Sequence, residues 1–141
     1  MRVISLVPSL TLTLAELGLD KSQLVGRTPW CIHPDSFVQD VPVVGGTKTP
    51  NLNKIRNAQP DLVILDREEN PKEFYEALIK SGIEVYVSTV EHPSEVPEML
   101  LELGQLLNLA PNAKELADAI NAELATTSET GPTVLPMIWH D

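Results

Sequence analysis

Asp61-Leu62-Val63-Ile64-Leu65-Asp66 is an unbroken apolar run held between two carboxylates, with no polar residue to give it a wet face. A strand of this kind has to be covered on both sides, as in a parallel sheet enclosed by helices. The neighbouring segments fit that frame. Asn70, Pro71 and Glu73 read as a capped helix start, with Phe74, Leu78 and Ile79 inside the helix and Gly82 as its stop. Ile83 to Val87 reads as the next strand. Upstream, Val3 to Val7 is a mostly β-branched run that meets Pro8-Ser9, and Leu10, Leu12, Leu14 and Leu17 then lead to Gly18: strand, turn, helix, stop. A weaker strand reads at Gln23 to Gly26. Arg27 to Asp40 carries no sustained period and is expected to be a loop with room for one helical turn. Val41 to Val44 runs into Gly45-Gly46-Thr47, and Asn51 is placed to cap a helix that carries Leu52, Ile55 and Ala58 on one face and stops at Pro60.

Two amphipathic helices follow, one from Pro93 with Val96, Met99, Leu100, Leu103, Leu106 and Leu107, the other from Pro111 with Ala113, Leu116, Ala117, Ile120 and Leu124. Thr126 to Pro132 is polar and turn-rich and reads as a linker, and Thr133 to Trp139 reads as a final strand. Strands alternating with short helices give the α/β class: a parallel, Rossmann-like sheet with helices on both faces, then a long connecting helix and one terminal strand. In such sheets ligands sit beyond the carboxyl ends of the strands, which singles out Pro8-Ser9, residues 27–34, residues 45–50, Asp66 to Asn70 and Ser88 to His92.

Composition narrows the partners. A net charge of −10 with no Lys/Arg cluster argues against nucleic acid or an anionic membrane, both of which need a basic face. No apolar run approaches the roughly 20 residues of a membrane span. At 141 residues the chain is the size of one domain, and a domain of this size buries roughly 70% of its unfolded surface without needing a disulfide or a structural metal. Cys31 is the single cysteine and has no internal partner.

Trp30-Cys31-Ile32-His33-Pro34 puts an indole, a thiol and an imidazole within five residues at the expected ligand edge. Two readings stay open: a contact loop with a flat aromatic face and soft donors, or a loop anchored by a tucked-in ring and a buried thiol. Cys31-x-His33 stands apart from His92 and His140, short of the four paired ligands of a structural zinc site. Asp66-Arg67-Glu68-Glu69-Asn70-Pro71 is either a self-satisfied helix cap or a source of polar contacts to a ligand. Gly45-Gly46-Thr47-Lys48-Thr49-Pro50 lacks the spacing of a phosphate-binding loop and reads as a tight turn.

Several of these segments together resemble the substrate-binding proteins of the ABC importers for iron-siderophores, haem and cobalamin, a periplasmic-binding-protein-like family whose two lobes are joined by a rigid helical backbone. The likeness is strongest to the cobalamin-binding-protein-like branch. It rests on the residues from Arg2 to Thr11, on Gly45-Gly46-Thr47 with Asn51-Leu52, on Gln59 to Ile64, on Trp30 to Pro34, and on Arg67 to Asn70. The resemblance implies an N-terminal ligand-binding lobe over residues 1–108, a connecting helix over 109–127, and over 128–141 a linker and the first strand of a second lobe, so that the chain is expected to be half of such a protein. It implies no catalysis and a metal-chelate ligand, cobalamin or another corrinoid first, ferric siderophore or haem second. The ligand contacts it implies are Pro8, Ser9, Trp30, Cys31, His33, Thr47, Lys48, Arg67, Glu68 and Glu69, with Trp30 as the stacking aromatic and no protein metal ligand.

The family docks on its permease through a Glu in the segment after the Asn-Leu pair, where this chain has Asn53, and a Glu usual after the opening turn is replaced by Leu12. Loss of the charge weakens the expected docking. The chain carries no signal peptide, so its location is expected to be periplasmic if a leader is removed and cytoplasmic otherwise. Two other functions compete: a small metal-dependent enzyme using Cys31, His33 and Glu68, and an interaction module whose terminal strand pairs with another chain, including a second copy.

Overall fold

The computed structural model describes residues 1–130. The elements are β1 (Val3–Ser5), α1 (Pro8–Glu16), β2 (Leu24–Gly26), α2 (Asp35–Val38), α3 (Leu52–Asn57), β3 (Leu62–Asp66), α4 (Lys72–Lys80), β4 (Val85–Ser88), α5 (Val96–Leu106) and α6 (Ala110–Thr130). The four strands form one parallel sheet in the order β2-β1-β3-β4. Val3 pairs with both Leu24 and Leu62, and Val63 pairs with Val85, so the two most apolar strands lie at the centre. A parallel bridge between Arg27 and Val43 extends the β2 edge.

Side chains alternate across the sheet, and each set finds its own core. Val3, Leu62 and Ile64 face α1, α5 and α6, where Leu10, Leu14, Val96, Leu100, Leu103, Ala113 and Ala117 are buried. Ile4, Leu6, Val63 and Leu65 face α3 and α4, where Ile55 and Leu78 are buried. This is the double coverage expected of the Asp61–Asp66 run. Between α5 and α6 a Cβ on Gly104 would overlap the Cβ of Ala113, so the two helices meet where one of them has no side chain.

Asn51 caps α3 as expected, its Oδ1 accepting from the Lys54 amide at 3.0 Å. The turn before it needs Gly45, whose φ of +119° and closeness to Pro50 and Asn51 leave no room for a side chain. Three expectations are corrected. Asn70 does not cap α4: Pro71 holds that position without a side-chain bond, because the Asn70 amide is already engaged elsewhere. The strand expected at Ile83 to Val87 begins at Val85 and ends at Ser88. The linker expected from Thr126 is helical through Thr130, since polar composition alone does not stop a helix and the breakers in the sequence are Gly131 and Pro132. The strand expected at Thr133 to Trp139, with any pairing through it, lies outside the described residues.

Candidate functional site

The loops leaving the carboxyl ends of β1, β3 and β4 surround a cleft of ≈ 180 Å³. Its floor is the upper end of the larger core: Val7, Leu10, Val96 and Met99. Its rim is polar, with Ser9 and Thr13 from α1, Asp66 at the end of β3, Glu68 and Glu69 from the loop that follows, and Ser88 at the end of β4, with the apolar Val90 just beyond it. The rim is built inward. Asp66 Oδ2 accepts the amides of Glu68 and Glu69 at 3.0 and 3.1 Å, which turns the loop back on itself. Thr13 Oγ1 donates to the Ser9 carbonyl at 3.0 Å, and Ser88 Oγ donates to Met99 Sδ at 3.7 Å.

Of the residues expected at the ligand edge, Ser9, Glu68 and Glu69 line this cleft, and Pro8 stands beside Ser9 at the start of α1. Lys48 Nζ donates to the Glu68 carbonyl at 2.9 Å, and the Thr47 carbonyl accepts from Asn70 Nδ2 at 2.9 Å, so the turn after Val44 is tied to the cleft loop without lining the cleft. Arg67 pairs with Glu91 across the loops after β3 and β4, and with Glu68 at 3.9 Å, and does not line the cleft.

Trp30, Cys31 and His33 lie on a separate loop that the cleft lining does not include. Cys31 is fully buried, its Sγ 3.2 Å from Thr28 Oγ1 and directed at the Ser5 carbonyl. Trp30 is 68% exposed and His33 is exposed, so the anchor in this loop is the thiol and the indole faces out. Arg27 braces the loop from within, Nε donating to the Val41 carbonyl at 2.9 Å and Nη1 to the carbonyls of Thr28 and Cys31 at 3.3 Å. Cys31, His33 and Glu68 are therefore not assembled into a metal site, and no group of three or more His, Cys, Asp or Glu among the described residues is placed to hold a metal ion.

Sequence reasoning missed Arg27, Asn70 and the apolar floor. The floor residues were legible only as helix faces, and nothing local marks which of them reach the end of the core. Away from the cleft, burial and then the neighbouring Glu102 carboxylate push the Tyr86 phenol far above its usual range, with its hydroxyl 3.1 Å from Glu102 Oε1.

The model of a periplasmic binding protein family matches residues 3–133. The chain belongs to that family. A vitamin B12-binding protein of Pectobacterium carotovorum is 26% identical over 130 residues, which cover 92% of this chain and 46% of that protein. The periplasmic vitamin B12-binding protein of Vibrio cholerae superposes with a TM-score of 0.81 at 24% identity, over 89% of this chain and 48% of that one. A periplasmic haem-binding protein of Pseudomonas aeruginosa gives 0.80 at 23% identity, over 91% of this chain and 46% of that one. The likeness to these structures is one of fold. The chain spans about half the length of the curated relative it matches.

Proposed function

We propose that this chain is a non-catalytic ligand-binding lobe of a substrate-binding protein that captures a metal chelate, a corrinoid of the cobalamin type first, for an importer at the cell envelope. Residues 1–108 form the lobe and α6 is the connecting helix. The observation that carries the reading is the cleft at the carboxyl ends of β1, β3 and β4, apolar at its floor and polar at its rim, in a chain of the periplasmic binding protein family. A volume of ≈ 180 Å³ is below the ~300–1,000 Å³ of a pocket that swallows a whole ligand, so a corrin-sized chelate rests across the opening with one edge inserted.

Charge supports the order of ligands. Among the described residues the lining holds three carboxylates, Asp66, Glu68 and Glu69, and no cation, while Arg67 is turned to Glu91. Cyanocobalamin is uncharged overall and edged with amides that donate to carboxylates. Haem presents propionates and catecholate siderophore complexes are anionic, and like charges set against each other cost several kcal/mol. Trp30 supplies an exposed aromatic face beyond the cleft. A permease partner is part of the proposal, with Asn53, exposed at the start of α3, in place of a docking carboxylate.

Calorimetric titration with cyanocobalamin, haemin and a ferric siderophore tests this. Cyanocobalamin is expected to bind and haemin to bind more weakly; the reverse order defeats the corrinoid reading, and heat from none of them defeats the chelate reading. Trp30→Ala is expected to weaken the bound chelate roughly 3- to 10-fold, the worth of one aromatic contact, and an unchanged affinity removes Trp30 from the site.

A further inference from the structure

Asn70 is buried, 7% exposed, on a loop where Arg67 and Glu68 are exposed and Asp66 and Glu69 are half-buried. Its carboxamide bonds three separate segments. Oδ1 accepts from the Asp66 amide at 2.8 Å, and Nδ2 donates to the Leu6 carbonyl at 3.3 Å and to the Thr47 carbonyl at 2.9 Å. Leu6 precedes Val7 of the cleft floor, Thr47 belongs to the turn after Val44, and Asp66 in turn holds the amides of Glu68 and Glu69.

Only a side-chain amide of this length offers an acceptor and two donor protons from one rigid plane; Asp has no donor, and Ser or Thr is too short and has a single proton. A helix cap, the role its place in the sequence suggests, uses only the acceptor, and it would not reach a carbonyl 64 residues away in the chain.

The geometry points to Asn70 as the positioning residue of the cleft. It clamps the loop after β3 against the end of β1 and against the turn at Thr47, and so sets where Glu68 and Glu69 stand relative to the floor. This inference rests on the proposed reading of the cleft as the ligand site. Carboxylates on a loop held this way meet the ligand without first being ordered, which is the physical basis of preorganised affinity.

The test uses the full chain and three variants. Asn70→Asp keeps the size and the acceptor for Asp66 and turns a carboxylate on two carbonyls; Asn70→Ala removes all three bonds. Asn112→Ala is the control, since it removes another Asn-to-carbonyl bond, to Leu17 at 2.9 Å, between two residues that do not line the cleft. Amide exchange and cyanocobalamin affinity are measured well below the melting temperature, so that loss of global stability does not enter either readout. Asn70→Asp is expected to speed exchange at Gly46, Glu68 and Glu69 by about tenfold while Asp66 stays protected, as for a lost net hydrogen bond, and to weaken cyanocobalamin by a similar factor. Asn112→Ala is expected to change neither.

Unchanged exchange at those amides in Asn70→Asp overturns the clamp, and faster exchange with wild-type affinity overturns its role in positioning. If the unmodified chain binds no cyanocobalamin, the ligand reading fails by itself, and the exchange pattern still decides whether Asn70 holds the loops. Where Asn70→Ala does not fold, Asn70→Asp carries the test.

Discussion

The two faces of the sheet are built to different depths. On the side of α1, α5 and α6 the core runs from Val3, Leu62 and Ile64 through Leu14, Leu100 and Leu103 to Ala113 and Ala117. On the side of α3 and α4 it is a thin layer in which Ile55 and Leu78 cover Ile4, Val63 and Leu65, and Tyr75 and Ile79 of α4 remain exposed. The cleft floor belongs to the deep side, because Val7, Leu10, Val96 and Met99 are part of that core. A cleft set on the deeper half inherits that core's resistance to deformation, while the thin half has only to keep the sheet dry.

A cavity cut into each face probes the difference in depth most strongly. Leu103→Ala on the deep side is expected to cost about 3–5 kcal/mol, and Leu78→Ala on the thin side about 2–3 kcal/mol, because a thin layer closes in on a gap more completely. Both leucines are fully buried, so equal losses in urea unfolding at equal m-value would show that the two faces are equally rigid.

Gly104→Ala is the next largest effect. At an open helical position the change stabilises by roughly 0.5–1 kcal/mol. Against Ala113 the new methyl forces α5 and α6 apart, and a net loss of about 1–3 kcal/mol is expected. A raised melting temperature would mean that the two helices are not held in close contact.

Tyr86 packs partly against the deep core, and its phenol stays neutral in the native state at pH values where the unfolded chain's phenol ionises, above about 10. The unfolded state then binds fewer protons, so stability falls as pH rises through that range. Tyr86→Phe is expected to flatten this alkaline limb, read as the urea midpoint between about pH 8 and pH 11, and to leave neutral-pH stability little changed; a limb of the same slope assigns it to another group.

The elements legible in the sequence are those whose cause is local. An apolar run gave β3, a Gly-stopped amphipathic stretch gave α4, and Asn51 gave the start of α3. Asn70 looks like a cap for the same reason: its neighbours suggest one, whereas its partners, Leu6 and Thr47, are distant in the chain. Cys31 and Trp30 show how far residue types go. The loop was recognisable as special, but which of the two faces inward depends on Thr28, Ser5 and Arg27, and no spacing rule carries that. The rim was partly legible, since the ends of strands in a parallel sheet are fixed by topology.

β1 is an interior strand of the sheet although it is the first element of the chain, with Val3 paired to Leu24 on one side and to Leu62 on the other. During synthesis it therefore leaves the ribosome long before the strand that completes its hydrogen bonding exists. Val3 and Ile4, both fully buried in the finished sheet, have to be kept from other apolar partners over that interval. Folding of this sheet is thus governed by a late, non-local closure between the first strand and the third, and it is expected to be slow for a domain of its size.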